Sequence, residues 1–349
     1  MDLKLTAIAE LLKELSEQEL TAVIEMAKSK LPSEIPSDPL KHIEDFKLLI
    51  LSKKSTALGD RPHCPHCGSH GIVKNGTKNH RQRFKCKECG HTFTWTNNTI
   101  LYGIKSDYNT LLAYCDCMMQ KMSIRQCAEH CGISIPTSFE WRHKILDALQ
   151  NMQNEVILNG TVESDETYFP LSFKGSRGLL RPAHQRGCSN HTRGISNELV
   201  CTSCSVNLNG LSIGKVTNLG RPKIEDLTNL INGRIEEGSF LVTDSLSAYD
   251  TVAEVNNLTH IKIEPGKHKN GAFDIQTVNS YHSELKRLIN GRFKGVATKY
   301  LNNYVVYHNF VNFAKESLSD KIQILKDFVF STFCNSRGYQ VKFRNAVPV

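Results

Sequence analysis

Apolar residues recur with helical spacing in two early stretches of the chain, and both stretches predict helices. The first covers residues 5–31, where Ser16 and Glu19 form a capping box ahead of the apolar positions. A linker that contains proline, LPSEIPSDP, follows it. The second stretch covers residues 107–150 and is broken at residues 132–134. The pattern therefore predicts an N-terminal helical arm and a separate helical segment.

Helix-start signals divide the second stretch into a pair of helices. Ser123 and Gln126 predict a capping box, and Ser134 with Pro136 predicts the start of the next helix. Two helices joined by a glycine-containing turn are typical of a helix-turn-helix DNA-binding motif, although any helical hairpin has the same pattern. The basic side chains that we expect to be available to DNA are Arg125, Arg142, His143 and Lys144.

Beyond Gly160 the pattern changes to short β-rich runs. The runs are GTVESDETYF, ELVCTSCSVNLNGLSIGKV with a hairpin signal at Asn209-Gly210, GSFLVTD and HIKIE. A helix is predicted in PKIEDLTNLING between Pro222 and Gly233, and a longer one around residues 276–290, stopped by Gly291. Strands that alternate with helices in this way predict an α/β domain.

Length and composition agree with a globular chain of two or three domains. The chain has 349 residues, of which 40% are hydrophobic and 22% charged. It contains no apolar run of 18 residues, so we expect no membrane span, and its start lacks the layout of a signal peptide. These features predict a cytoplasmic protein.

Basic residues are concentrated in three stretches, although the net charge is only +8. Residues 61–99 hold seven Lys or Arg against Glu88 alone, whereas residues 169–197 and 285–315 contain no acid. Separate basic stretches on one chain favour several contacts with DNA, and an ordinary solvated surface is the alternative.

Four of the twelve cysteines have the spacing of metal ligands. Cys64 and Cys67 form one C-x-x-C knuckle and Cys86 and Cys89 another, and each knuckle is followed by a glycine. The chain between them predicts a strand, a turn and a strand, and HTFTWT predicts a third strand. The sequence thus predicts a zinc ribbon with one Zn²⁺ held by four thiolates.

The neighbouring histidines and the other cysteines are not expected to bind this metal. His63, His66 and His91 flank a shell that four thiolates already complete. Cys201 and Cys204 lie in a predicted strand, where residues three apart point to opposite faces. Cys127 and Cys131 fit small residues of a helical core.

Two acids occupy the places that two-metal phosphoryl transfer requires, one in a first strand and one at the end of a later strand. Asp165 lies in GTVESDETYF, where it shares a strand face with Glu163 while Glu166 points away. Asp244 follows the apolar run Phe240–Thr243, at the point where the strand opens into the loop SLSAYD. We expect both carboxylates to bind Mg²⁺.

The third ligand is expected on the helix around residues 276–290. Asn279, His282 and Lys286 lie within about 60° of one another on the helical wheel, whereas Glu284 lies about 140° from Asn279. Asn279 offers an amide oxygen, which binds Mg²⁺ with one negative charge fewer than glutamate. His282 and Glu284 stay open as alternatives, and Lys286 is placed to hold a DNA phosphate.

Three segments resemble a known family of proteins: ESDETYF, VTDSLSAY and QTVNSYHSELKRLINGRFKGVATKYLNNY. They are similar to the bacterial insertion-sequence DDE transposases that carry an N-terminal zinc ribbon, in particular to the branch with an Asp-Asp-Asn-Lys signature. The likeness covers roughly residues 60–310. Residue by residue, Asp165, Asp244 and Asn279 match the metal-ligand positions of that signature, and Lys286 matches its basic position.

This resemblance implies a ribonuclease H-like catalytic domain that binds terminal inverted repeats and performs Mg²⁺- or Mn²⁺-dependent cleavage and transfer of DNA strands. It also implies a bacterial protein, nucleoid-associated when bound to DNA, that acts as a homo-oligomer holding two DNA ends. Two alternatives stay open. One is an inactive transposase-derived DNA-binding regulator, which only Asn279 supports, and the other is a host nuclease or repair enzyme on the same fold.

Together these patterns predict five segments along the chain. They are an N-terminal helical arm (1–58), a zinc ribbon (59–100), a helical DNA-binding segment (101–152), a ribonuclease H-like catalytic domain (153–315) and a C-terminal tail (316–349).

Overall fold

The computed structural model places the chain in two compact units, Met1–Asp38 and Pro39–Val349. The residues that it describes all lie in the second unit. They are 63–78, 81–94, 96–97, 99–179, 192–267, 269–313, 318–331, 334 and 336–345. The predicted N-terminal helices and the proline linker lie outside these residues.

The cysteine-rich segment folds as a three-stranded antiparallel sheet, as its sequence predicts. Its strands are β1 (Ile72–Lys78), β2 (Arg81–Cys86) and β3 (Thr92–Thr94). Each knuckle turns through a glycine with positive φ, Gly68 at 73° and Gly90 at 74°, a conformation that side chains with a Cβ rarely adopt. The apolar interior is small, with Cys64, Cys86 and Phe93 as its buried residues.

Three helices follow, and both predicted helix starts are confirmed. They are α1 (Tyr108–Met119), α2 (Ile124–His130) and α3 (Ile135–Gln153). Ser123 and Gln126 form the capping box of α2, and the Ser134 hydroxyl accepts the backbone N–H of Thr137 at 3.2 Å in the first turn of α3. Gly132 turns the chain between α2 and α3 with a φ of 62°.

The expectation that Arg142, His143 and Lys144 are available to DNA is wrong. Their exposed fractions are 0%, 1% and 3%. They lie on the face of α3 that packs into the protein, and Lys144 Nζ donates to the Tyr102 carbonyl at 2.8 Å. Their polarity predicts a surface position, but the Arg142 guanidinium lies over the rings of Tyr114 and Tyr307, and the His143 ring packs against Tyr300. Of the four predicted DNA contacts on this segment, Arg125 is exposed.

The rest of the described chain is built on a five-stranded mixed sheet with the order β6-β5-β4-β7-β8. The strands are β4 (Thr161–Pro170), β5 (Leu199–Asn207), β6 (Ser212–Leu219), β7 (Phe240–Thr243) and β8 (Thr259–Lys262). β4, β5 and β6 are antiparallel neighbours, whereas β7 and β8 run parallel to β4. The hairpin predicted at Asn209-Gly210 joins β5 to β6. The α/β class read from the sequence is confirmed.

Helices cover both faces of this sheet. They are α4 (Ile224–Ile231), α5 (Ala248–Val255), α6 (Gln276–Lys286), which continues as a π-helix over Arg287–Arg292, and α7 (Thr298–Asn312). A short hairpin of β9 (Lys269–Asn270) and β10 (Phe273–Asp274) precedes α6. Tyr249 of α5 contacts Glu166, and His282 of α6 lies near Asp165, so α5 and α6 lie on opposite faces of β4. At Gly214 of β6 an added Cβ would lie 2.9 Å from Val305 Cγ1 of α7, so a glycine is needed where strand and helix approach.

Two details differ from the sequence pattern. The segment after Asp244, predicted as a loop, begins helix α5, whose buried Tyr249, Val252 and Ala253 have helical spacing. Gly291 does not end the long helix, because the chain continues through it in the wider π turn as far as Arg292. The turn beyond uses Gly295, with a φ of 86°.

The predicted C-terminal tail contains two further helices, α8 (Leu318–Ser331) and α9 (Gly338–Lys342). Helix α8 packs against α1, and Lys326 forms an ion pair with Asp116 at 2.7 Å. Arg344 donates to both carboxylate oxygens of Asp147 on α3. One hydrophobic cluster extends from Ile100 through the sheet to Cys334, so this tail and the helical segment share their core with the α/β region. Among the described helices none is long and apolar enough to cross a membrane.

Candidate metal centres and their surroundings

The four predicted cysteine ligands converge at one point of the ribbon. Their sulfur atoms all lie within 4.8 Å of one another. Cys64 Sγ lies 3.5 Å from Cys89 Sγ, and Cys67 Sγ lies 3.6 Å from Cys86 Sγ. Tetrahedral Zn²⁺ with Zn–S bonds of about 2.3 Å places its sulfurs about 3.8 Å apart. The arrangement therefore fits a tetrahedral zinc site, and this group could hold the metal.

The thiols perturb one another as crowded ligands do. The pKa of Cys86 is lowered to about 6, first by a hydrogen bond from the backbone of Cys89. The backbone of His91 lowers the pKa of Cys89, but burial and the three neighbouring thiols outweigh it and raise that pKa to about 12. Four thiolates this close repel each other unless a cation lies between them.

His66 and His91 lie outside this cluster. Their rings stack with centroids 4.3 Å apart, and both side chains are exposed. Cys201 and Cys204, which the sequence argument excluded as a knuckle, are buried in β5.

The parallel pairing of β4 with β7 places Asp165 beside Asp244. In its register Glu163 pairs with Val242 and Ser164 with Thr243, so the next position on each strand is an aspartate. Neighbouring strands lie about 4.8 Å apart, so Asp244 leaves β7 next to the part of β4 that carries Asp165. Asp165 is partly buried, and Asp244 is exposed directly after the buried end of β7.

The closeness of Asp165 and Asp244 affects the pKa of Asp165. The pKa of Asp165 is raised to about 6, mainly by burial and also by the charge of Asp244, against the lowering effects of the Glu166 backbone N–H and of Lys286. A partly buried carboxylate whose pKa is raised by a neighbouring carboxylate fits a divalent cation, which would remove the repulsion. The donor set of carboxylate and amide oxygens suits Mg²⁺ or Mn²⁺.

Helix α6 lies against the face of β4 that carries Asp165. His282 Nδ1 lies 3.7 Å from Asp165 Oδ2, and burial lowers the pKa of His282 to about 4, so its imidazole is neutral. Asn279 and Lys286 are exposed on the same helix, and the charge of Lys286 acts on Asp165. This is the polar helix face that the sequence predicts.

Glu284 points elsewhere. Its Oε2 accepts a hydrogen bond from Asn312 Nδ2 of α7 at 3.2 Å. Asn312 also contacts the ring nitrogens of His308. Glu284 thus takes part in a contact between α6 and α7, away from the aspartate pair.

Another acid of β4, Glu166, lies on the face opposite to that of Asp165. Tyr249 of α5 donates its hydroxyl hydrogen to Glu166 Oε1 at 2.6 Å. The pKa of Glu166 is raised to about 7, mainly by burial and also by the charges of Asp165 and Asp244, and the Tyr249 hydrogen bond acts in the opposite direction. The alternation of strand residues predicts the direction of Glu166, but its partner belongs to the helix that the sequence pattern missed.

The turn that carries Asp244 is held by a hydrogen-bond network that sequence reasoning missed. The Thr243 hydroxyl donates to the Asp244 carbonyl at 2.6 Å and lies 2.9 Å from His260 Nε2. His260 Nδ1 lies 2.9 Å from Asp250 Oδ1, and Lys262 donates to the same carboxylate. Asp250 lies on α5 and His260 on β8, so neighbouring elements fix the Asp244 backbone. The signal available in sequence, polar residues at the ends of apolar strands, is too common to identify such a network.

Exposed cations follow the aspartate site along the chain. Lys286, Arg287, Arg292 and Lys294 are all exposed. Arg292 Nε donates to the Lys121 carbonyl at 2.8 Å, which ties the π-helix to the turn before α2. Lys174 Nζ donates to the carbonyls of residues 293–295 and fixes the end of that turn. Two of the predicted basic stretches therefore meet.

Comparison with known proteins identifies the class of this α/β region. Residues 157–310, which include Asp165, Asp244, Asn279 and Lys286, match the model of the ISXO2-like transposase domain family. The α/β region is therefore similar to insertion-sequence transposase domains over residues 157–310.

Individual relatives agree with this class. The chain is 26% identical over 246 residues to an uncharacterized protein in transposable element ISH50 of Halobacterium salinarum, a match that covers 70% of this chain and 82% of the relative. A shorter match of 66 residues at 38% identity joins it to an uncharacterized 48.3 kDa protein of insertion element ISM1 of Methanobrevibacter smithii, with 15% of this chain and 16% of the relative covered. The crystal structure of a pre-cleavage Mos1 transpososome matches 65% of this chain and 80% of its own at 12% identity, but its TM-score of 0.25 is too low to bear on function.

Proposed function

We propose that this protein is an active transposase that binds the terminal inverted repeats of an insertion sequence and cleaves and joins DNA strands. The observation that carries the proposal is the alignment of Asp165 with Asp244 on parallel strands, under a helix that presents Asn279 and Lys286. The strand order β6-β5-β4-β7-β8, with three antiparallel and two parallel members, supports a ribonuclease H-like catalytic domain.

In this proposal Asp165 and Asp244 hold divalent cations through carboxylate oxygens, and Asn279 contributes its amide oxygen. A bound pair of Mg²⁺ or Mn²⁺ ions supplies activation of the attacking oxygen and stabilisation of the leaving oxygen. Lys286, exposed on the Asn279 face of α6, holds the DNA phosphate next to the aspartates. His282 is neutral and mostly buried. In this assignment it positions α6 against β4 and does not bind the metal.

The remaining parts recognise DNA and support the catalytic domain. We propose that Cys64, Cys67, Cys86 and Cys89 bind one Zn²⁺ and that the basic ribbon around them contacts DNA. The helical pair contributes Arg125, because the other predicted contacts on it are buried. Two DNA ends have to be held together for strand transfer, so we propose that the protein acts as a homo-oligomer on DNA.

The assay that tests the function uses purified full-length protein and DNA carrying the candidate inverted repeats that flank its gene. We expect strand cleavage with Mg²⁺ or Mn²⁺, lost in Asp165→Ala and Asp244→Ala. DNA binding without cleavage under either metal would refute the proposal. That result would instead favour the second candidate, an inactive transposase-derived regulator, which the weaker ligand Asn279 supports.

A further inference from the structure

Helix α6 has a local side-chain acceptor for its first backbone N–H only, since the Asp274 carboxylate accepts the N–H of Gln276 at 3.1 Å. Its N-cap residue is Ile275, an apolar residue with a φ of −120° that offers no side-chain hydrogen bond. The first backbone N–H groups of any helix have no acceptor within the helix, and they need one from elsewhere when they are buried. Val278, at the third position of α6, is fully buried, so bulk water does not reach its backbone N–H freely.

Glu163 supplies the missing acceptor from strand β4. Its Oε2 accepts the backbone N–H of Val278 at 2.9 Å, and Thr277 also donates hydrogen bonds to this carboxylate. These are the second and third positions of the helix, the ones that an N-cap side chain normally serves. The carboxylate also lies at the positive end of the helix dipole. Glu163 is only 2% exposed and lies 115 positions before Val278 in the chain.

This contact joins the two elements that carry the proposed metal ligands. Glu163 is two residues before Asp165 on the same face of β4, about 7 Å away along the strand. Asn279 directly follows Val278, whose N–H the Glu163 carboxylate holds. A single carboxylate therefore fixes the start of α6 relative to the strand position of Asp165.

We propose that Glu163 is a positioning residue, which caps α6 across the sheet and thereby sets Asn279 and Lys286 against the aspartate pair. Its oxygen is engaged by helix N–H groups, so it serves as a hydrogen-bond acceptor and not as a metal ligand. The inference rests on the proposed function for its catalytic consequence, but the cap itself does not.

The first test measures the cap without any activity. In full-length protein, Glu163→Ala should raise the hydrogen-exchange rate of the Thr277 and Val278 amides about tenfold or more, because both lose their acceptor. Glu163→Gln keeps an amide oxygen of the same reach and should change that rate less than about threefold. Equal exchange in Glu163→Ala and the unmodified protein would refute the cap.

The second test separates positioning from metal binding by comparing cleavage across metal concentrations. Glu163→Ala should raise the Mg²⁺ concentration for half-maximal cleavage about tenfold, since Asn279 is less firmly placed. Glu163→Gln should lower cleavage by only a few-fold, whereas Asp165→Asn should abolish it. Glu284→Gln, at an exposed carboxylate of the same helix whose described contact is with Asn312, is the matched control and should behave as the unmodified protein.

The outcomes of these tests are distinct. Loss of cleavage in Glu163→Gln as complete as in Asp165→Asn, with normal exchange at Thr277 and Val278, would show that Glu163 is a metal ligand and overturn the inference. If Glu163→Ala does not fold, the cleavage activities of Glu163→Gln and Asp165→Asn still distinguish a positioning residue from a metal ligand. If the unmodified protein cleaves no DNA, the proposed function fails while the exchange experiment still confirms or refutes the cap.

Discussion

The cysteine-rich ribbon and the α/β region hold their candidate metal ligands in opposite ways. In the ribbon the ligands are the interior, since Cys64 and Cys86 are two of its three buried apolar residues. In the α/β region Asp165 and Asp244 lie at the edge of a large cluster that packs without them. A small core needs metal to be stable, whereas a large one tolerates a site whose charges repel. We therefore expect one metal to control folding and the other to control only chemistry.

Removal of zinc should have the largest effect, and it should be confined to the ribbon. Structural zinc contributes about 10–16 kcal/mol to small domains of this kind, more than their cores supply. A zinc chelator should therefore abolish hydrogen-exchange protection in residues 63–94 and leave β4, β5 and β7 protected. Added Zn²⁺ should restore the ribbon and Mg²⁺ should not. Protection that survives complete zinc removal, checked by metal analysis, would break the comparison.

Neutralising the aspartates should have the opposite effect to zinc removal: DNA cleavage is lost while the fold stays intact. Asp165→Asn and Asp244→Asn should reduce DNA cleavage by about a thousandfold or more, because the cation positions lose their charge. In the absence of divalent metal the same variants should melt at the same temperature as the unmodified protein or slightly above it, since the burial and the repulsion that raise the pKa of Asp165 no longer act on a charge. A fall in melting temperature of more than a few degrees would show that the pair is structural.

Asn279 and Glu284 provide a finer test of which side of α6 carries chemistry. Asn279→Ala should lower cleavage about a hundredfold at limiting metal, because one oxygen ligand is lost. Asn279→Asp should keep metal affinity, because its carboxylate also offers an oxygen ligand. Glu284→Ala should leave cleavage unchanged, since Glu284 contacts Asn312. A metal titration of each variant measures the difference. Loss of cleavage in Glu284→Ala with normal cleavage in Asn279→Ala would reverse the assignment.

The smallest expected effects distinguish buried from exposed arginines in the helical segment. Arg142 is 0% exposed, donates to the Met122 carbonyl and lies over the rings of Tyr114 and Tyr307. Arg142→Ala should cost about 3 kcal/mol of unfolding free energy, through lost packing and an unpaired carbonyl. Arg125→Ala should leave stability unchanged and reduce the salt dependence of DNA binding by about one phosphate contact. Equal melting temperatures for the two variants would contradict this division.

Local signals were sufficient for much of the fold. Ser123 with Gln126 predicted the capping box, the knuckle spacing predicted the cysteine cluster, and Asn209-Gly210 predicted the β5–β6 hairpin. Each depends on residues close in sequence, and its geometry is set by backbone preferences. Helix α5 was missed because its eight residues give a short apolar pattern that starts inside a turn-like run.

The sequence by itself determined which residues are candidates: the four thiols, Asp165, Asp244, and one polar face of α6. Strand alternation and helical periodicity fix the direction of a side chain within its own element. Only the tertiary structure decided which elements meet. It buried Arg142, His143 and Lys144, placed Glu284 against Asn312, and joined Glu163 to the start of α6 across 115 residues. Such contacts depend on how strands pair and helices pack, for which residues close in sequence carry no local signal.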